Sequence, residues 1–461
     1  MTTFNRKGYL KNRHGIVQHL LVVLFGISAW IGVNGIFVQL PILIHNSPEG
    51  SALPTYIVIA IQMANLGPII YMLFQQMQFK VNEFVCILGV LIVGNISMIL
   101  LIFFYNKTII LYNSEYSLVL FILTFFTALV GCFSSVLFMP YLRNFDESYM
   151  ISYFIGEGLS GVLPSLVALI QNIGDNTEYY VINNSNNNNN NITSIDIVIP
   201  NINFTPLYYF VFIFIVLLLS LIAFVILQYF SFVQDIQDNF KQNESSLDKI
   251  QAIRYNVKNK PISIFDKSFL KNELTMVVKH HDVRKESKCL NMHYKMSLCK
   301  KAYLLILMST LCFFGNGFLP SIQSYSCLPY GYITYQLSIT LVQFANPIAC
   351  FITFFIMPTN VNIIHSLFVI TFIFCICVTY VALMSPFVPL LESKIGIIII
   401  LISWTILIGI ISYTKLVIVT IFRQMQNVNI LFYVGIIMQA GSASGAIISF
   451  TLINFTDFFQ A

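Results

Sequence analysis

The chain has 461 residues, of which 57 % are hydrophobic, 15 % aromatic and only 9 % charged. This composition excludes an ordinary soluble domain, in which about a quarter of the residues are charged. The formal net charge of +5 is spread over several loops, which does not favour a nucleic-acid-binding patch. The first apolar run begins near Ile16 and is too long for a cleavable signal peptide.

Long unbroken apolar runs predict helices that cross a membrane, since one crossing takes about 20 mostly apolar residues. In chain order, we place spans 1 to 11 at residues 17–41, 54–74, 83–104, 118–141, 151–171, 207–230, 301–320, 332–357, 361–384, 395–422 and 428–453. A β-barrel would show short alternating segments instead. The predicted fold class is therefore an all-α integral membrane protein.

Basic residues near span ends orient a membrane protein, because Lys and Arg are enriched on the cytosolic side. The residues that fall on one side are Arg6, Lys7, Lys11, Arg13, Lys80, Arg143 and Arg423, whereas the other side has Lys107 and Lys394. The amino terminus is therefore predicted to be cytosolic. An odd number of spans then places the carboxyl terminus outside the cell.

The loop at residues 172–206 has no Lys or Arg and contains an Asn run at 186–191. N-glycosylation sequons occur at Asn106, Asn183, Asn191 and Asn203, all on the side predicted to be external. An Asn-rich tract also produces sequons by chance. Glycosylation and a disordered tract with accidental matches therefore both stay open.

The longest polar segment, residues 231–300, predicts a cytosolic linker. It separates an N-terminal half with spans 1–6, residues 1–230, from a C-terminal half with spans 7–11, residues 301–461. A basic cluster in the linker fits either an anionic-lipid site or an ordinary solvated segment. Its members are Lys279, His280, His281 and Arg284.

Short polar motifs recur in the two halves at a nearly constant offset. Asn34-Gly35 recurs as Asn316-Gly317 after 282 positions (316 − 34), Ala64-Asn65 as Ala345-Asn346 after 281 (345 − 64), and EGLS at 157–160 as QAGS at 439–442 after 282 (439 − 157). Six spans per repeat predict two parallel pseudo-repeats of six and five spans, in a major-facilitator-like arrangement. Such proteins bind substrate between the halves near the membrane midplane and rock one half against the other.

Polar side chains inside spans are costly unless they face protein or a water-filled cavity. Pairs that share one helical face are Trp30 with Asn34, Gln62 with Asn65, Gln343 with Asn346, and Gln439 with Ser442. By analogy with the major-facilitator arrangement, these pairs and Asn316 fall on cavity-lining or seam helices, whereas Asn95 in span 3 does not. A helix-to-helix hydrogen bond is the alternative for each single carboxamide.

Two ionisable residues lie clearly inside predicted spans, Glu157 and Lys415. They can pair with each other, line a watery cavity or serve proton coupling, and Lys415 can also snorkel to the cytosolic end of its helix. The sequence contains no P-loop, HExxH or CxxC motif, so neither an enzyme, an ATP-driven pump nor a metal site is predicted.

Several segments carry a family likeness: NGIFVQLP, LPTYIVIAIQMANLGP, FIGEGLSGVLPSLVALIQ, NGFLPSIQSYSCLPYG, ANPIACF and ISYTKL. They resemble the eukaryotic riboflavin transporters, solute carrier family 52. The resemblance implies a plasma-membrane carrier for riboflavin that uses neither ATP nor a cofactor, with the bilayer and a small molecule as partners.

Riboflavin is neutral, with a flat aromatic ring, a hydrogen-bonding pyrimidine edge and a hydroxylated tail. Given the resemblance, stacking on Trp30 or Tyr413 would hold the ring. The candidates for bonding its edge and tail are Asn34, Asn65, Asn316, Gln323, Asn346 and Gln439.

The chain departs from the family pattern in three places. Relatives resemble NGxxVELP, with Glu where this chain has Gln39, and carry Gln where it has Glu157. If both side chains face one cavity, the substrate site keeps one carboxyl and one carboxamide. Relatives also carry a Cys where this chain has Phe387, which leaves Cys327 without an evident disulfide partner.

Two other functions stay open at this point. Nucleoside carriers resemble the same eleven-span design and bind a planar ring with a sugar. A cell-surface receptor is the alternative from another class, and it would bind a protein ligand without solute flux.

Overall fold

The computed structural model describes residues 16–77, 82–111, 113–142, 147–171, 203–229, 297–356, 361–391, 393–424 and 428–460. This part of the chain is almost wholly helical. Its one sheet is a short antiparallel hairpin of Ile109–Leu111 with Ser114–Tyr116, in the connection between spans 3 and 4.

Within the described residues, ten helices are long and apolar enough to cross a membrane, and a bent helix pair, counted as one span, makes an eleventh. In chain order, spans 1 to 11 are Ile16–Ile27 with Ile31–Asn46, Gly50–Gln75, Glu83–Phe104, Leu118–Phe138, Ser152–Gln171, Pro206–Tyr229, Leu298–Tyr330, Tyr332–Thr353, Val361–Leu383, Lys394–Phe422 and Tyr433–Phe455. Span 5 belongs to a longer helix, Glu147–Gln171. The predicted multi-pass helical fold is confirmed.

The spans alternate in direction, which defines two sides of the molecule. We call the side where span 1 ends and span 2 begins the distal side, and the side where span 1 begins at Ile16 the proximal side. On the distal side, Glu49 accepts hydrogen bonds from the backbone N (2.6 Å) and Oγ (2.8 Å) of Ser117. These bonds fix the connection between spans 1 and 2 to the beginning of span 4.

Two of the predicted glycosylation sites, Asn106 and Asn203, lie exposed on the distal side. The Asn203 Nδ2 donates to the carbonyl of Ile170 (2.9 Å). Asn183 and Asn191 lie outside the described residues, as does nearly all of the predicted linker.

Span 1, which was predicted as one span at residues 17–41, is broken in its middle. Its two helices meet at 51° around residues 28–30. The hydroxyl of Ser28 donates to the carbonyl of Phe25 (2.6 Å) and competes with the helical ladder at this point. The second helix then continues through Pro41 to Asn46, because a proline removes one backbone donor without ending a packed membrane helix.

Span 7 is longer than predicted. We expected it to end near residue 320, but it continues to Tyr330. The polar residues of this extension are buried against other helices: Ser321, Gln323, Ser324 and Ser326. Each has a partner there, for example Trp404, whose Nε1 donates to Ser326 Oγ (3.0 Å). The neighbouring Cys327 is a buried free thiol, and Phe387 is 84 % exposed.

Residues 1–225 together with 297–461 form one compact unit, and 226–296 form a second. Within the first unit, span 2 packs against span 11, and span 5 packs against span 8. Gly158 allows the second contact to be close, since a Cβ at this position would lie 3.0 Å from Pro347 Cβ. The major-facilitator analogy predicts that the second and fifth helices of each half lie along the seam, and spans 2, 5, 8 and 11 are those helices.

Candidate functional site

Two equivalent hydrogen bonds lie near the middle of the spans, one in each half. Asn34 Nδ2 donates to Ser160 Oγ (3.2 Å), and Asn316 Nδ2 donates to Ser442 Oγ (3.1 Å). Both pairs are separated by 126 residues (160 − 34 and 442 − 316). The same contact at the same spacing shows that the sequence repeat is also a structural repeat.

Each serine is held as an acceptor by its own helix. Ser160 Oγ donates to the carbonyl of Glu157 (2.6 Å), and Ser442 Oγ donates to the carbonyl of Met438 (2.9 Å). Because the single hydroxyl proton is used in this way, the oxygen presents its lone pairs to the asparagine amide.

Two glutamines reach across the seam between the halves. Gln62 of span 2 donates through Nε2 to the backbone carbonyl of Asn316 (3.2 Å), and Gln343 of span 8 donates to Oδ1 of Asn34 (3.4 Å). The two glutamines stand 281 positions apart (343 − 62), so the crossings are pseudo-symmetric. The sequence placed both on polar helix faces, but their partners in the opposite half were not predicted.

The carbonyl of Asn316 can accept from Gln62 for a local reason. Asn316 lies in a π-helical segment, Phe313–Phe318, and Pro320, four positions later, has no N–H, so the ordinary α-helical bond to this carbonyl is missing. The side-chain oxygen of Asn316 accepts from Lys415, whose Nζ lies 3.0 Å away, and Gln62 bonds the backbone oxygen.

The other predicted asparagines support this centre. Asn65 lies at the break between helices Leu53–Ala64 and Leu66–Gln76, and its Nδ2 donates to Gln62 Oε1 (3.0 Å). Asn346 accepts a hydrogen bond from the hydroxyl of Ser412, which links span 8 to span 10. We use the term central cluster for Asn34, Gln62, Asn65, Ser160, Asn316, Gln343, Lys415 and Ser442.

Trp30 begins the second helix of span 1, directly after the break, and is partly exposed. Its ring lies on Gly131 of span 4, where a Cβ would come within 2.7 Å of Cε3. Only a glycine at that position leaves room for the indole. Trp30 precedes Asn34 by one helical turn, and its ring packs beside span 4.

Glu157 and Gln439 occupy equivalent positions, one turn to the proximal side of Ser160 and Ser442. Glu157 is half-buried and Gln439 is exposed. Neither side chain forms a hydrogen bond or ion pair with another described residue. In particular, Glu157 and Lys415 do not form the charge pair that the sequence left open, because the ammonium of Lys415 is bonded to Asn316 instead.

Three predicted site residues lie away from both the central cluster and the residues beside it, which are Trp30, Glu157, Asn346 and Gln439. Gln39 is fully buried, and its Nε2 donates to Oε1 of Gln171 (2.6 Å) at the distal end of span 5. Gln171 is 14 residues from Glu157 (171 − 157), or about 21 Å along the helix. Gln39 and Glu157 therefore do not face one cavity. The arrangement of one carboxyl and one carboxamide in a shared substrate site, which the sequence left open, is not present in this structure.

The other two are Gln323 and Tyr413. Gln323 is buried on the distal side, where its Nε2 donates to Ser338 Oγ (3.0 Å). The Tyr413 hydroxyl donates to the carbonyl of Ile356 (2.7 Å) at the proximal end of span 8. Both side chains therefore connect neighbouring helices in this structure.

Hydrogen bonds between described residues join the halves from the middle of the spans to their distal ends. On the distal side, Tyr56 donates to Asn454 (2.8 Å), Ser324 donates to the carbonyl of Ser51 (2.8 Å), and Gln336 donates to the carbonyl of Ala168 (2.7 Å). The seam is thus bonded on the distal side of the central cluster.

Comparison with known proteins gives one consistent family. The sequence profile described as solute carrier family 52, riboflavin transporter, matches residues 14–461. The chain is 32 % identical over 455 residues to solute carrier family 52, riboflavin transporter, member 3-A of Danio rerio, with 96 % of this chain and 97 % of that protein covered. It is 31 % identical over 478 residues to member 3 of Homo sapiens, with the same coverage.

Solved structures that resemble this one are also transporters. A mutant of the nucleoside transporter NupG superposes with a TM-score of 0.53 at 9 % identity, covering 96 % of this chain and 94 % of that chain. The peptide transporter POT in complex with sulfate gives a TM-score of 0.54 at 10 % identity, covering 95 % and 88 %. At these identities the likeness concerns the fold alone, which is major-facilitator-like.

Proposed function

The chain belongs to solute carrier family 52, the riboflavin transporters, and we propose that it carries riboflavin across the plasma membrane by alternating access, without ATP or a bound cofactor. The observation that supports this most strongly is the family match, which runs through almost the whole chain. The family is one of transporters, not of enzymes.

The central cluster suits this substrate. Its polar groups are mostly neutral carboxamides and hydroxyls, which bind hydroxyls and ring heteroatoms without requiring a charged ligand. Trp30 offers a flat aromatic face beside Asn34, and aromatic stacking stabilises a ring of this kind. We therefore place the isoalloxazine against Trp30, and the pyrimidine edge and ribityl hydroxyls against the cluster.

Alternating access requires a seam that closes on one side of the substrate at a time. If the amino terminus is cytosolic, as predicted, the proximal side faces the cytosol and the distal side faces the outside. The hydrogen bonds on the distal side then correspond to a carrier that is closed toward the outside. Opening to the outside would break the Tyr56–Asn454 and Ser51–Ser324 contacts and form new contacts on the proximal side.

The test is uptake of labelled riboflavin by cells that express the chain. Excess unlabelled riboflavin should abolish the signal and excess uridine should leave it unchanged. Equal competition by uridine would favour a nucleoside carrier instead. Absence of uptake at normal surface expression, with binding of a protein ligand, would favour a receptor.

A matched pair of variants tests the site itself. Asn34→Ala should reduce riboflavin uptake at least tenfold, because one carboxamide supports both a serine and the cross-half glutamine. Asn95→Ala makes the same chemical change in span 3, where Asn95 bonds only the carbonyl of Leu91 of its own helix (2.8 Å). It should leave the apparent affinity for riboflavin unchanged, and an equal loss in both variants would count against the site.

A further inference from the structure

We propose that Lys415 determines substrate specificity by donating hydrogen bonds to the acceptor edge of the flavin ring, formed by the N1 imine and the C2 carbonyl. This inference rests on the proposed function and names the part of the substrate that the cation recognises. It concerns a residue whose predicted roles were pairing with Glu157, proton coupling or snorkelling.

The side chain of Lys415 is directed toward the middle of the protein. Span 10 runs from the distal to the proximal side, and side chains on a helix lean toward its N-terminus. Lys415 therefore leans away from the proximal end of its span, and its ammonium donates to Asn316 Oδ1 (3.0 Å) in the central cluster. The Lys415 side chain therefore does not snorkel to the proximal surface.

The ammonium forms no ion pair with a described carboxylate, although an unpaired cation in a span is expensive. An ammonium group has three N–H donors, and the bond to Asn316 uses one of them. Gly315 lies beside it, where a Cβ would be 2.9 Å from Cγ2 of Ile411 and 3.8 Å from Nζ, so Ile411 fills the space next to this glycine. The other two donors have no partner among the described residues and remain for a ligand.

Asn316 positions the cation. Its Nδ2 is bonded to Ser442, its backbone oxygen to Gln62 and its Oδ1 to Lys415. Because both ends of the carboxamide are bonded, it cannot rotate freely. The ammonium of Lys415 is therefore held in place relative to both halves.

The cation is present in one half only. The position 282 residues earlier (415 − 282) is Phe133, which has no charge. The centre is therefore electrostatically asymmetric although its carboxamides are arranged pseudo-symmetrically. An asymmetric charge gives a planar substrate one preferred orientation, with its acceptor edge toward span 10.

Flavin chemistry identifies this edge. The N1 imine and the adjacent C2 carbonyl are both acceptors, and they carry much of the negative charge that the ring can accumulate. A cation with two free donors can bond to both. In 1-deazariboflavin a C–H group replaces N1, so the shape is kept while one acceptor is lost.

The experiment measures the binding of riboflavin and of 1-deazariboflavin to purified full-length protein by isothermal titration calorimetry. A hydrogen bond to a charged group corresponds to about 10-fold to 150-fold in affinity. The wild type should therefore prefer riboflavin within that range, Lys415→Arg should keep a preference, and Lys415→Met should bind both ligands equally. Lys301→Met, at the proximal beginning of span 7, is the control and should keep the wild-type ratio.

A second variant covers the case in which Lys415→Met does not fold. Asn316→Asp pairs the ammonium with a carboxylate, which offsets its charge and weakens the hydrogen bonds that it can donate to a ligand, so the ratio should also fall toward one. An unchanged ratio in whichever of the two variants folds would overturn the inference. If the wild type binds no riboflavin, the proposed function fails; if it binds both ligands equally, only the role of Lys415 fails.

Discussion

Gly161 in span 5 provides a direct test of the cross-half contacts. A Cβ at this position would lie 2.6 Å from Oε1 of Gln343 and 3.5 Å from Nδ2 of Asn34. In Gly161→Ala the new methyl group would therefore displace the end of the Gln343 side chain. That side chain is flexible, so it can rotate away, but it then loses its hydrogen bond to Asn34 (3.4 Å).

The expected magnitude follows from the loss of one neutral hydrogen bond, about 0.5–1.5 kcal/mol net. If the bond exists only while the distal side is closed, its loss shifts the equilibrium toward the open state by about 2-fold to 13-fold. Folding should not suffer, because alanine favours a helix over glycine by about 1 kcal/mol.

The assay is labelling from outside the cell by a membrane-impermeant thiol reagent. The reporter is Ser51→Cys, since the Ser51 carbonyl lies at a distal cross-half contact with Ser324. Gly161→Ala should increase the labelling rate by the same factor and change the rate of riboflavin uptake. The control is Gly89→Ala, where an added Cβ has no neighbour within 4 Å. Equal labelling rates in the two glycine variants would refute the reasoning.

Three other changes separate structural roles from transport roles. Glu157→Gln should flatten the pH dependence of riboflavin uptake if the Glu157 carboxyl carries a proton; an unchanged pH profile at normal surface expression would exclude that role. Gln39→Leu leaves the buried Oε1 of Gln171 unpaired and should lower the free energy of unfolding by about 1–3 kcal/mol, seen as a lower Tm. Its riboflavin affinity should stay unchanged, because Gln39 lies outside the central cluster, and a large loss of affinity would contradict that placement. Glu49→Ala removes two hydrogen bonds to Ser117 and should lower Tm, an effect that Glu49→Gln should partly restore; equal Tm values for both variants and wild type would count against this role.

The number and order of the spans could be predicted because hydropathy is a local property of the chain. Span 3, for example, was placed at 83–104 and is Glu83–Phe104 in the structure. The repeat could also be predicted, since the matched motifs keep an almost constant offset. Equivalent asparagines at 34 and 316 do bond equivalent serines, as two related halves require.

The error in the length of span 7 has a physical origin. Hydropathy treats a polar residue as facing water, whereas the residues from Ser321 to Ser326 are buried against other helices and have partners there. A local pattern does not contain the neighbours that satisfy those groups. The break in span 1 has a different cause, since the hydroxyl of Ser28 bonds the carbonyl of Phe25 three residues earlier, and hydropathy does not measure such local competition for backbone hydrogen bonds.

The sequence by itself determined that this is a multi-pass helical membrane protein of two related halves, and its motifs indicated the transporter family. Only the tertiary structure decided which polar side chains meet. Lys415 bonds Asn316 rather than Glu157, and Gln39 bonds Gln171. Gln62 and Gln343 form hydrogen bonds that join the halves. The physical reason is that spacing along one helix fixes which face a side chain occupies, whereas its partner depends on which other helix packs against that face.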